Sequence, residues 1–118
     1  MARFSTAELN AAGAGVFAPG TTYYLSLHSA DPGTTGASEF SGGSYARQAI
    51  VFSTWTAGAT GNNAAIAVPN AGTTAATYVG IWTAATAGTY LGGLPLASAV
   101  TSTSVTFAIG AIAPTVTG

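Results

Sequence analysis

The first apolar pattern along the chain has a helical period. Leu9, Ala12, Gly13, Val16 and Phe17 fall on one face of a helix predicted over 4–18. Ser5 is placed as its N-cap, and Glu8 completes a capping box. Phe4 before the cap and Leu9 after it are spaced for a hydrophobic staple. Pro19-Gly20 stops the helix. Gly13 and Gly15 lower its intrinsic stability, so docking rather than propensity must hold it in place.

Beyond Gly20 the period changes to two. In Tyr23 to His28, the residues Tyr23, Leu25 and Leu27 share one face and Tyr24, Ser26 and His28 the other, which reads as a half-buried strand. Ser29 to Ser44 is rich in Gly, Ser and Thr and opens with Asp31-Pro32-Gly33, an ordered loop starting in a turn. Further strands are predicted near 45–53, 64–68, 78–82, 89–96 and 104–109, with Val105, Phe107 and Ile109 on one side of the last. In the first of these, the continuous run Ile50, Val51, Phe52 suggests cover on both faces. A short final strand near 112–116 is also expected, with Pro114 pointing to an edge. Short strands with turn signals about every 8–12 residues indicate a sandwich or barrel. The expected fold is therefore all-β, a sandwich or a barrel (21–118) behind a short N-terminal α-helix (4–18), in one domain spanning 1–118. No fixed-period repeat points to a solenoid or a triple-helical shaft.

Charge sharpens this picture. Only 4% of the 118 residues are charged, against roughly 25% in an ordinary domain. They are Arg3, Glu8, Asp31, Glu39 and Arg47, so nothing from Gln48 to Gly118 carries an acidic or basic side chain. A surface made of Thr, Ser, Asn, Gly and Ala suits a protein packed against others, because a net charge near zero promotes association. A secreted β domain with a Thr-rich surface is the alternative on composition alone. Two basic residues and a net charge of −1 cannot support phosphate-driven nucleic-acid binding. No apolar run approaches the length of a membrane-spanning helix. Glu8 and Asn10 interrupt the Ala-rich start, which does not read as a secretory signal. Cysteine is absent, which removes disulfide, thiolate and cysteine-metal chemistry. No cofactor is expected.

One long stretch carries a resemblance. Tyr24-Leu25-Ser26-Leu27-His28-Ser29-Ala30-Asp31-Pro32-Gly33 leads through Thr34-Thr35-Gly36-Ala37-Ser38-Glu39 and Gly42-Gly43 to Tyr45-Ala46-Arg47. It resembles small tailed-phage virion proteins described as tail-fibre-like or head-decoration (minor capsid) proteins. Tyr78-Val79-Gly80-Ile81-Trp82, followed by Thr83-Ala84-Ala85-Thr86, is similar to that family's Gly-Ile-Trp-Asp segment, with Thr83 where Asp is usual. The resemblance implies a non-enzymatic virion protein folded as a compact, jelly-roll-like β-sandwich behind the short N-terminal α-helix. The leading expectation is a capsid decoration (cement) protein on the outer surface of the capsid, trimeric and bound to the major capsid protein. The alternatives are a tail or tail-fibre-base structural protein, or a module that binds host glycans.

Candidate chemistry is sparse. His28, Asp31 and the many serines suggest a Ser-His-Asp site, but the nucleophile elbow Gly-x-Ser-x-Gly is missing, and no catalytic residue is assigned. His28 and Asp31 are expected to pair structurally where strand meets loop. Asp31 and Glu39 supply too few oxygens for calcium, so no metal is expected. Glu39 and Arg47 flank Gly42-Gly43, and the chain can fold back to join them as a clamp on the loop. Aromatic residues at strand positions belong mostly to the core rather than to a sugar-stacking platform. Trp55 is singled out as an interface anchor, with Phe4, Leu9 and Phe17 of the helix as further interface candidates.

Overall fold

The computed structural model describes residues 5–41, 45–57, 59–69, 75–100 and 104–114, and only the backbone of Thr6, Glu8, Leu9, Asn10, Val16, Ala97, Ser98 and Ser104. Its elements are α1 (Thr6–Val16), β1 (Thr22–His28), β2 (Gln48–Val51), β3 (Ile66–Pro69), β4 (Ala76–Trp82), β5 (Tyr90–Val100) and β6 (Ser104–Phe107). All described pairings are antiparallel: one sheet has the order β2-β1-β4-β5, and a second pairs β3 with β6. The fold is an all-β sandwich with one short helix, as the alternation of residues predicts.

The period of two places the core. Leu25 stands opposite Ile81 and Leu27 opposite Val79, and all four are essentially inaccessible to solvent. Ile66, Val68, Val105 and Phe107 of the small sheet join the same apolar cluster. The end of α1 closes this core through Phe17, whose ring centroid lies 5.8 Å from Tyr23 and 5.1 Å from Phe52. Gly13 is required by close packing, because a Cβ there would sit 2.4 Å from the Trp55 indole. Docking thus compensates for the weak helix propensity of the segment.

The structure departs from the sequence expectation at Trp55 and Phe17, at Ile109 and at 112–114. Trp55 is 4% exposed and donates its indole N–H to the Phe17 carbonyl at 2.9 Å; Trp55 and Phe17 belong to the core rather than to an outer interface. Phe4 and the side chains of Glu8 and Leu9, and with them the capping box and the staple, lie outside the described residues. Ile109 is 71% exposed because the chain leaves β6 at Phe107 and turns through Gly110, whose φ of 80° ends the alternation. Residues 112–114 form no strand; instead the Ile112 N–H donates to the Asn62 side-chain oxygen at 2.9 Å, and the Asn62 amide nitrogen donates to the Ala64 and Ala108 carbonyls. The rest of that expected strand, 115–116, lies outside the described residues.

The second face of β1 is also covered. Ser26 and His28 are fully buried, so β1 is not the half-exposed strand its alternation implied. The loop 29–41 lies over this face and makes it a second, polar interior.

Candidate functional site

The polar interior begins with a gap in the sheet. Ser26 of β1 stands opposite Gly80 of β4, and a Cβ on Gly80 would lie 2.6 Å from both Ser26 Oγ and His28 Nε2. Glycine therefore leaves room for two polar side chains above the sheet. The loop returns over them: Ser29 N–H donates to the Ser38 carbonyl at 3.1 Å, and Phe40 N–H to the Leu27 carbonyl at 2.9 Å. Asp31 shapes the start of the loop by accepting the Gly33 N–H at 2.8 Å, a local turn contact on the surface. Asp31 does not pair with His28, contrary to expectation, because its carboxylate serves its own turn.

His28 bridges strand and loop. Its Nδ1 lies 2.7 Å from the Ala37 carbonyl, which can only accept, so Nδ1 carries the proton. In the neutral ring Nε2 is then an acceptor, and the Ser26 hydroxyl donates to it at 2.7 Å. The Trp82 indole N–H donates in turn to Ser26 Oγ at 2.9 Å. Burial is the largest influence on the ring and holds its pKa below the usual 6.5; Arg47 acts in the same direction, while the Ala37 contact and Glu39 oppose it.

A hydroxyl donating to a histidine resembles an activated nucleophile. Here both groups have no solvent exposure, and the loop covers them, so no substrate reaches the pair. Among the described residues no group of three or more His, Cys, Asp or Glu comes together to hold a metal.

Arg47 and Glu39 form the second half of the site. Arg47 Nε donates to Glu39 Oε2 and its Nη2 to Oε1, each at 2.8 Å, a bidentate pair whose side chains are 9% and 20% exposed. Arg47 Nη1 donates to the carbonyls of Ala84 and Ala87 at 3.0 and 2.8 Å, which ties in the β4–β5 turn. Ala87 has a left-handed φ of 56°, unusual for a residue with a Cβ, and Arg47 holds its carbonyl there. The guanidinium carbon also lies 3.7 Å from the centroid of the Trp82 ring. Tyr45 donates its hydroxyl to Glu39 Oε2 at 2.8 Å and accepts the Leu27 N–H at 3.1 Å. Burial alone would raise the Glu39 pKa; the Arg47 and Tyr45 hydrogen bonds and the guanidinium charge outweigh it and hold the carboxyl below its ordinary value. Burial, followed by the Glu39 carboxylate, pushes the Tyr45 phenol well above 10, while the Leu27 contact and Arg47 oppose the shift.

The structure thus brings together Glu39, Arg47 and, through the loop backbone, His28, but not Asp31. Sequence reasoning missed Ser26, Tyr45 and Trp82 as members of this network. Tyr45 precedes Arg47 by two positions, so an extended backbone sends both side chains to one carboxylate, and that spacing was a readable signal. An open groove of about 380 Å³ beside the clamp is lined by Glu39, Phe40, Tyr45, Arg47 and the 85–87 turn. Its ions already bond to each other and to backbone carbonyls, so the arrangement serves to join segments of the chain.

A sequence profile of the family described as podophage GP4 fiber I protein gp80 matches residues 4–115. No curated protein matches the chain.

Proposed function

From the premise that the chain belongs to the podophage GP4 fiber I protein gp80 family, and so is a structural protein of the phage virion, we propose that it is a building block of the tail fibre. The observation that carries this reading is the span of the family match, residues 4–115, which covers the sandwich together with its helix. The expected place on the capsid exterior has no comparable support; the fibre alternative has it.

The physical role is assembly. A chain in which only 4% of residues are charged neither repels copies of itself nor needs counter-ions stripped on contact. Copies of this chain and adjoining tail proteins are the partners that fit, and many small contacts repeated along a fibre add through multivalency. The clamp around Arg47 keeps the loop surface in one shape, which lowers the entropy lost on packing.

The test is quantitative mass spectrometry of purified virions after heads and tails are separated. The expected result is a chain that partitions with the tails at low copy number. Hundreds of copies that stay with the heads would return the decoration reading.

A further inference from the structure

We propose that His28 is an acid-operated latch: protonating its ring releases the 29–41 loop from the sheet while the sandwich beneath stays folded. The geometry of the polar interior carries this proposal.

The neutral ring is fully committed, with Nδ1–H directed at the Ala37 carbonyl and Nε2 receiving the Ser26 hydroxyl, both at 2.7 Å. A second proton can go only to Nε2, which then becomes a donor facing a donor. The Ser26 oxygen can take Nε2–H beside the Trp82 indole N–H only by turning its own proton off the ring, so that proton loses the partner it has in the closed state. The imidazolium also needs water or an anion. His28 has no solvent exposure, so water reaches it only when the loop lifts.

The groups around the ring offer no substitute. From the loop, Glu39 favours the charge, but its carboxylate already accepts Arg47 and Tyr45. From segment 45–47, Arg47 opposes the charge, and Tyr45 holds its hydroxyl between Glu39 and the Leu27 amide. The ionisable side chains of β4 and β5 are the phenols of Tyr78, opposite His28, and Tyr90, which packs on Trp82. Lifting the loop takes from the apolar cluster only the partly buried Phe40 at its edge; every buried member of the cluster lies outside 29–41 and stays in place. The loop can therefore open as a local unit rather than by global unfolding.

His28 is the only histidine of the chain, so its ring gives an unambiguous NMR signal. The experiment titrates the full-length protein and follows the ring together with amide hydrogen exchange, corrected for intrinsic rates. The expected ring midpoint lies below 6.5. Below that value, protection of the Ser29, Ala37 and Phe40 amides should fall by up to ~10-fold per pH unit, while β3 and β6 amides keep theirs. In His28→Gln, whose side-chain oxygen can still accept from Ser26, the loop should lose this dependence. An ordinary midpoint with unchanged loop amides overturns the latch. So does a loss of protection that spreads equally to β3 and β6, or a His28→Gln protein that keeps the wild-type pH response. If the variant does not fold, the wild-type titration decides alone.

Discussion

Replacing Arg47 with alanine removes a side chain that touches the loop, the β4–β5 turn and the Trp82 ring together. The magnitude follows from the contacts. Breaking a buried ion pair by deleting one partner costs about 3–5 kcal/mol. Glu39 remains 20% exposed and can be partly rehydrated, so the low end applies to this pair. The Ala84 and Ala87 carbonyls each lose a bond worth about 0.5–1.5 kcal/mol, but near the surface water recovers most of that. The cation–π contact adds roughly 0.5–1 kcal/mol. Arg47→Ala should therefore destabilise the protein by about 3 kcal/mol, or roughly 12 °C at a slope near 4 °C per kcal/mol for a chain of this size. Urea unfolding at neutral pH, read by tryptophan fluorescence, checks this, with an unchanged slope against denaturant confirming a stability effect. A double-mutant cycle with Glu39→Gln should give a coupling of about 2 kcal/mol. A loss below about 0.5 kcal/mol, or a coupling near zero, would show that the pair is no stronger than an exposed one.

Other outcomes follow from the same contacts. Gly13→Ala should cost up to about 2 kcal/mol in thermal or urea unfolding, because overpacking against Trp55, about 1–3 kcal/mol, exceeds the ~1 kcal/mol gain in helix propensity. Asn62→Ala should cost about 2–3 kcal/mol, because it strips the Ile112 amide and the Ala64 and Ala108 carbonyls of their partner; hydrogen exchange should localise the loss to 108–112. Stability should plateau between about pH 6.5 and pH 10 and fall on both sides in urea midpoints measured across that range. On the acid side the unfolded chain takes up protons first: at His28 below 6.5, then at Glu39 below 4.5, since both folded values are lowered. On the alkaline side Tyr45 is raised above 10, so the unfolded chain ionises first and stability declines.

Much of this was legible in the residues. Alternation found β1, because Leu25 and Leu27 face one apolar layer, and it found β4 and β6 for the same reason. The flanking of Gly42-Gly43 by Glu39 and Arg47 pointed to a contact between them, and the structure places them 2.8 Å apart. What escaped was cover supplied from a distance. Ser26 and His28 are polar and alternate with leucines, so the local pattern reads as a solvent face; only the return of a loop with Pro32 and Gly36 buries them. Trp55 sits among Thr, Ala and Gly and reads as exposed, but Gly13, distant in sequence, makes its pocket. Ile109 keeps the strand period to the last residue and is exposed, since a turn reverses the chain before the pattern ends. Periodicity reports the faces of an element; it does not report what another segment lays over them.

The place of the domain in the particle is tested most directly by a cryo-EM map of the intact virion, detailed enough to recognise a four-stranded sheet facing a two-stranded one. This sandwich should fit density in the tail fibres, with copies in contact through their uncharged surfaces. Density for it on the outer capsid lattice, and none in the tail, would show that the protein is no part of the fibre.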